Sequence, residues 1–201
     1  MKKGETGEKK VINILRSLPS EHFRSSEGFL FSYKGRTNQI DCLMVSRNAV
    51  YVIEVKNIGG IITGNISDKY WWQEQPLRHN RIYNPMRQAS RQAQRIREVL
   101  QYEHDMHLNI LPFVVFSNDS ILQIEGETRS ISKFYNLAET IVNLDRLVND
   151  INKTNNNRFI WDKDYVMQTI LNYSNNSKNA IKRHNKYAYA VKKSVEEQLY
   201  T

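Results

Sequence analysis

Three residues near the middle of the chain have the types and spacing for metal-assisted hydrolysis: Asp41, Glu54 and Lys56. They lie within Asn38–Asn57, where two apolar, β-branched runs flank the polar break Ser46-Arg47-Asn48-Ala49, the pattern of a β-hairpin. A two-residue turn at Arg47 and Asn48 sets Val45 opposite Val50, Leu43 opposite Val52, Asp41 opposite Glu54 and Gln39 opposite Lys56. Alternation then puts Gln39, Asp41, Glu54 and Lys56 on one side of the sheet, and Ile40, Cys42, Ile53 and Val55 on the other. Opposed β-carbons lie about 5 Å apart, and like charges directly opposite are destabilising. A divalent cation between the two carboxylates would offset the repulsion, and Lys56, one step along the same face, would hold a water or a phosphate oxygen beside it. A plain core hairpin with charged strand ends accounts for a lone Glu-x-Lys. It does not account for acid opposite acid at the ends of strands that are apolar on both faces.

Asp41 followed by Glu54-Val55-Lys56 also resembles the active-site motif of the PD-(D/E)xK nuclease superfamily, with Ile40 where the motif carries its variable Pro. Upstream, Gly4 to Leu18 has the apolar stripe Val11, Ile14, Leu15, Leu18 and a stop at Pro19, which predicts a helix. Glu8 continues that stripe one turn toward the N-terminus, although a first-turn Glu is also favoured by the helix dipole alone. Gly4-x-x-Gly7-Glu8 is similar to the opening of the nuclease-related domain (NERD) family, whose N-terminal helix brings a Glu to the active site. Glu21 to Tyr33 reads as one strand or two, with Lys34-Gly35 as the turn into the hairpin.

After Lys56, Gly59-Gly60-Ile61, Gly64 and Tyr70-Trp71-Trp72 read as short strands with glycine bends, again in a succession that resembles NERD sequences. Adjacent Trp71 and Trp72 fit one ring in the core and one over a neighbour better than base stacking. Asn84-Pro85 opens a helix whose buried face is Met86, Ala89, Ala93, Ile96 and Leu100, with Gln88 and Gln92 at its edge. Alone, Gln88 would be a routine surface residue; Asn84-Pro85-x-x-Gln88 matches the family pattern, which implies a Gln beside the metal site. Arg78 to Arg97 holds six arginines and no acid, a density that suits phosphates better than balanced surface pairing, so Arg78, Arg81, Arg87, Arg91 and Arg95 are the expected nucleic-acid contacts. His79, His104 and His107 lie on or beside this helix with surface roles, the last two at a spacing that could bind metal incidentally.

Leu111 to Phe116 is a short buried strand. Beyond it the resemblance fades: Leu137 to Ile151 reads as a helix capped by Asn136, Asn155-Asn156-Asn157 as a loop, and Asp162 to Leu199 as two helices parted by Ser174 to Asn179. Lys178, Lys182, Arg183, Lys186, Lys192 and Lys193 make this end basic, either extending a nucleic-acid surface or simply solvated. The 201 residues carry a net charge of +8, which suits a polyanionic partner. A single Cys42 in a predicted buried strand argues against a disulfide framework and a cysteine zinc site, and the expected compartment is a reducing cytosol; no apolar run reaches membrane-spanning length, and Met1 to Glu8 lacks the apolar region expected of a signal peptide.

The resemblance covers Gly4 to Phe116 and implies an α/β, restriction-endonuclease-like mixed β-sheet core flanked by helices. The expected organisation is a nuclease core over 1–135 and a helical C-terminal part over 136–201 packed on it as one unit. It implies phosphodiester hydrolysis of nucleic acid, DNA in the first instance, with Mg²⁺, or Mn²⁺ in its place, held by Asp41, Glu54 and the Val55 carbonyl. Lys56 then positions or activates water, and Glu8 carries a second metal or orients water through Gln88. Two alternatives share these features: a catalytically silent nucleic-acid-binding module on the same fold, and a junction-resolving endonuclease acting as a homodimer. The intact acid set argues against the first, since a pure binder gains nothing from buried carboxylates that repel phosphate.

Overall fold

A computed structural model describes residues 3–126, 140–154 and 161–186. Helix α1 (Lys3–Arg16) precedes the three antiparallel strands β1 (Phe23–Tyr33), β2 (Arg36–Ser46) and β3 (Ala49–Lys56). Lys34 and Gly35, at φ 47° and 73°, make the β1–β2 turn, where a positive φ at both positions matches the strand twist. Three shorter strands follow, β4 (Gly60–Asn65), β5 (Tyr70–Gln75) and β6 (Arg78–Tyr83), then helix α2 (Pro85–Glu98), which runs on through a π-helical stretch, Val99–Glu103. Strands β7 (Asn109–Phe116), β8 (Ser120–Glu125) and β9 (Ile141–Asn143) lead to α3 (Leu147–Thr154) and α4 (Lys163–Leu171).

The strands form two mixed sheets, ordered β1-β2-β3-β7-β9 and β6-β5-β4-β8. β7 lies parallel to both β3 and β9, and β8 parallel to β4. One face of the larger sheet buries Cys42, Met44, Tyr51, Ile53, Phe113 and Val115 under Val11 and Leu15 of α1 and Leu147 and Ile151 of α3. The other buries Leu43, Val45, Val50 and Val52 under Ala93 and Ile96 of α2 and Val166 and Ile170 of α4. Covered on both faces, β3 and β7 are apolar nearly throughout, as internal strands of an α/β layer must be. The N-terminal half of α2, through Met86 and Ala89, packs on Ile62 and Trp71 of the smaller sheet and on Val114 and Phe116 of β7, so α2 ties the two sheets together. Trp71 lies flat against Gly64, where a β-carbon would come within 2.4 Å of the ring, so only glycine fits there.

The fold is thus α/β with a mixed sheet flanked by helices, as expected, and two details differ. The helix expected over Leu137 to Ile151 is not continuous: Ile141–Asn143 extends the sheet beside β7, a 3₁₀ turn follows at Leu144–Arg146, and the helix begins at Leu147. A three-residue strand is too short to show an alternating pattern, and its Ile and Val fit helical spacing equally well. His79, expected on or beside the arginine-rich helix, sits instead on Arg78–Tyr83, the edge strand of the smaller sheet, opposite Glu74. Residues 136–139, the loop at 155–157 and the basic pair Lys192 and Lys193 fall outside the described residues. After α4, the chain pairs along the open edge of β1, Ser32 N donating to Tyr173 O at 2.8 Å and Asn175 N to Leu30 O at 2.8 Å. A helical segment then spans 178–186. Among the described residues no helix is long and apolar enough to cross a membrane.

Candidate active site

β2 and β3 keep the expected register, with Val45 opposite Val50, Leu43 opposite Val52 and Cys42 opposite Ile53. Ser46 fastens the turn, its Oγ donating to Asn48 Oδ1 at 2.8 Å and accepting from Ala49 N at 3.2 Å. Beyond Cys42 and Ile53 the ladder stops. In the same register Asp41 would next pair with Glu54 and Val55 with Ile40, but neither pair joins the ladder, and Asp41 Oδ2 takes the Val55 N–H instead, at 2.9 Å. β2 bends at this step, and Ile40 packs with Phe29, Phe31 and Leu43 rather than with Cys42, Ile53 and Val55. The expected common face for those four side chains is corrected accordingly, as is the pairing of Gln39 with Lys56. A strand residue directs its N–H and C=O to the same edge, so the Val55 carbonyl also looks toward Asp41. Gly28 of β1 follows the bend, with Ile40 O only 3.1 Å and Asp41 O 3.2 Å from where its β-carbon would be.

Glu54 is 1% exposed, and both of its oxygens are bonded: Oε1 accepts from Lys56 Nζ at 2.5 Å and Oε2 from Gln92 Nε2 at 3.1 Å. Gln92 Nε2 donates also to the Gln39 carbonyl at 2.7 Å, joining β2, β3 and α2 behind the acids. Gln88, one turn earlier on α2, has Oε1 3.5 Å from Lys56 Nζ. The helix start that aims both glutamines is fixed by buried Asn84. Its Oδ1 caps Met86 N and Arg87 N at 2.9 and 3.2 Å, while its Nδ2 donates to Ile66 O and Asp68 O at 2.9 and 2.7 Å. Pro85 takes the first helical position, where no N–H is needed.

α1 reaches the same end of the sheet through Gly7. A β-carbon there would lie 2.6 Å from Ser117 Oγ and 2.7 Å from Asn57 Cβ, so the missing side chain is what allows the helix to sit against the ends of β3 and β7. Lys10 Nζ donates to Ser117 O at 3.3 Å and Cys42 Sγ approaches Glu8 O at 3.9 Å, fixing the helix on both sides.

Burial pushes the Asp41 carboxyl well above the usual carboxylate range, the charge of Glu54 pushes it further, and the Val55 N–H and Lys56 offset this only in part. Glu8 is raised by burial and then by Glu54 and Glu5, so all three acids share one field. Burial alone would lower the Lys56 ammonium. The charge and hydrogen bond of Glu54, with Asp41 behind it, outweigh that and hold it above the ordinary lysine value. Lys56 is therefore a cation at neutral pH and stands as the local counter-charge to the acids. Burial also pushes the Cys42 thiol up, which leaves it unreactive.

Among the described residues no three His, Cys, Asp or Glu side chains are gathered closely enough to hold a metal ion. Glu8 joins the acids electrostatically without closing a three-carboxylate cage around them. The donor chemistry of the remaining set still fits a hard divalent cation: two carboxylates and a backbone carbonyl, with an excess of negative charge that a cation would relieve. His104 and His107 do not converge: His104 Nε2 lies 3.0 Å from Tyr173 OH and His107 Nε2 3.1 Å from Asp105 Oδ1, with Asp105 at a positive φ between them.

The arginines divide between two elements. Arg78 and Arg81 stand on β6, and Arg87, Arg91 and Arg95 on α2. Among the described residues none of the five is ion-paired. Arg97, in contrast, is drawn inward, Nη2 donating to Ile110 O at 2.9 Å. Gln92, which bonds Glu54 Oε2, is the side chain at the site that sequence reasoning left unassigned. The signal for it was its place one turn after Gln88 at the edge of the apolar stripe.

A mixed sheet whose central hairpin ends in two acids and a lysine, with helices on both sides, defines an α/β nuclease-type core. The chain belongs to the nuclease-related domain family, whose model matches residues 3–117, from α1 to the residue after β7, and so takes in every side chain of the site. It is also similar to an uncharacterized protein of Bacillus anthracis, 23% identical over 191 residues that cover 93% of this chain and 84% of the relative. No solved structure matches the chain.

Proposed function

We propose that the protein hydrolyses phosphodiester bonds of nucleic acid, DNA in the first instance, with Mg²⁺ or Mn²⁺ held by Asp41, Glu54 and the Val55 carbonyl. One observation carries the reading: two buried carboxylates are held together against their repulsion, with the Lys56 ammonium bonded to one of them. Burying such charges is costly and repels phosphate, so a surface that only docked nucleic acid would be better without them.

When bound, a divalent cation would supply Lewis-acid stabilisation of the charge that develops on the phosphate oxygens. The chain's own groups do the rest. Gln92 fixes the Glu54 carboxylate, so its direction is set before substrate arrives. Lys56 has three N–H donors, one on Glu54 and one toward Gln88, which leaves the third for the attacking water or a non-bridging phosphate oxygen. Because it keeps its proton, Lys56 orients and neutralises; it does not act as the base. Glu8, raised by burial and then by the charges of Glu54 and Glu5, is better matched to accept the proton that water loses as its oxygen bonds to phosphorus. The unpaired arginines of β6 and α2 hold the flanking phosphates. The reaction belongs to a reducing cytosol, in keeping with a single thiol that is buried.

The test is a panel of end-labelled single-stranded, duplex and branched DNA and the matching RNAs, incubated with Mg²⁺, Mn²⁺ or EDTA. Cutting that EDTA abolishes and Asp41→Ala removes is expected. Robust Mg²⁺-dependent cutting by Asp41→Ala sinks the assignment.

A further inference from the structure

β5 and β6 form a two-stranded ribbon at the edge of the smaller sheet, and its two faces differ sharply. The inner face sends Trp71 and Ile82 into the core. On the outer face the register sets Tyr70 opposite Tyr83 and Trp72 opposite Arg81. The Tyr70 and Tyr83 rings meet edge to face with centroids 5.9 Å apart. The Arg81 guanidinium lies 4.3 Å over the Tyr70 ring, Lys69 Nζ 5.3 Å over the same ring, and the Arg91 guanidinium, reaching back from α2, 5.2 Å over Tyr83. Trp72 remains 50% exposed beside them. Among the described residues Lys69, Arg81 and Arg91 have no carboxylate partner.

We propose that this outer ribbon face is a stacking platform for unpaired bases, so that the nucleic acid brought to the site carries a single-stranded segment. The proposal rests on the nuclease reading for what happens next, and on the ribbon alone for what binds.

Cross-strand packing explains the tyrosine pair by itself. It does not explain a half-exposed Trp in a row of aromatic and cationic side chains whose charges have no acid to answer among the described residues. Phosphates answer those charges, and π faces answer the rings. In a duplex the faces of the bases are buried in the stack, so only unpaired bases present a surface to Trp72. Cations already seated over the tyrosines are ordered before binding, which lowers the entropy lost when phosphates arrive. The platform is also continuous with the acids. β6 runs through Asn84 directly into α2, and Arg91 lies three residues beyond Gln88, on the neighbouring strip of the helix. A strand stacked on the ribbon is therefore led along α2 to Lys56 and Glu54.

The test measures binding of the full chain in EDTA, where no cutting complicates it, to a fluorescein-labelled oligothymidine and to a blunt duplex of equal length. Trp72→Ala is expected to weaken single-strand binding by about 5- to 100-fold and to leave the duplex unchanged, while Trp72→Phe keeps most of the affinity. Oligothymidine should also quench intrinsic Trp emission in the wild type and not in Trp72→Phe. Should Trp72→Ala fail to fold, Trp72→Leu replaces it. Equal single-strand affinity in the wild type and the Ala or Leu variant overturns the proposal. So does an equal loss on both nucleic acids, or binding of duplex alone, and a ribbon that docks protein would give the first of these results. If single strands bind through Trp72 yet nothing is ever cut, the nuclease reading fails and the platform stands. If cutting is metal-dependent and Trp72 is silent, the reverse holds.

Discussion

The end of the β2–β3 hairpin and the outer face of the β5–β6 ribbon both hold charge, and they hold it in opposite ways. At the hairpin the charges are buried and hydrogen-bonded to one another and to the backbone: Asp41 takes the N–H that the ladder left over, Glu54 has a donor on each oxygen, and Lys56 stands between acids and solvent. On the ribbon the charges are basic, exposed and laid over rings, with no acid paired to them among the described residues. Buried charge is expensive and is kept where chemistry needs a fixed field; exposed, unpaired cations cost little and suit a ligand that brings its own negative charge. On the proposed function, the protein keeps the place where a bond would break apart from the place where a strand would be gripped, and α2 joins the two.

If that division holds, variants at the hairpin should alter rate and variants on the ribbon and helix surface should alter affinity. The largest effect is expected from Asp41→Asn, which keeps an oxygen for the Val55 N–H and deletes the charge. Cleavage should fall by roughly a thousandfold or more. Stability in metal-free buffer should rise at neutral pH. A carboxyl whose folded pKa lies above its unfolded value, about 3.9, destabilises the fold increasingly as pH climbs from that value toward the raised one, and fully above it. Urea titrations of wild type and Asp41→Asn from about pH 4 upward should therefore start together and diverge, with Asn the more stable. Curves that stay superimposed would mean that the acids do not oppose one another.

Next comes Lys56→Ala, which should lower turnover by about 100-fold or more while calorimetry finds Mg²⁺ or Mn²⁺ binding nearly unchanged. Loss of metal binding would make Lys56 structural. Gln92→Leu, similar in size, leaves Glu54 Oε2 and the Gln39 carbonyl without their donor, so about 1–3 kcal/mol of stability should go. Turnover should drop by about 10- to 100-fold with KM held, because a carboxylate that can swing is misplaced for the reaction. A KM that rises instead would move Gln92 to the gripping side of the division. The smallest effect on rate belongs to the Arg87→Ala, Arg91→Ala double variant. Turnover at saturating substrate should stay as in the wild type, while on duplex DNA the slope of log affinity against log salt falls by about 1.8, twice the 0.9 that each phosphate contact contributes. An unchanged slope would show that these side chains face away from the backbone of the substrate.

What the sequence determined by itself was whatever depends on neighbours along the chain. The turn at Arg47 and Asn48 settles the register of the hairpin, and with it which residues approach Glu54; Asn84 and Pro85 settle where α2 starts, and so where Gln88 points. Local chemistry is enough for these, because turn and cap geometry involve only a few consecutive residues. Ile141–Asn143 was misread for the complementary reason: a three-residue strand exists only because β7 is there to pair with it. Only the tertiary structure decided that β2 bends at Asp41, that Gln92 rather than Gln88 clasps Glu54, and that Trp71 is buried while Trp72 faces outward beside Arg81. Each of these turns on which of two nearly equivalent neighbours meets a surface distant in sequence. Side-chain type leaves that choice open, and the packing of α2 between the two sheets closes it.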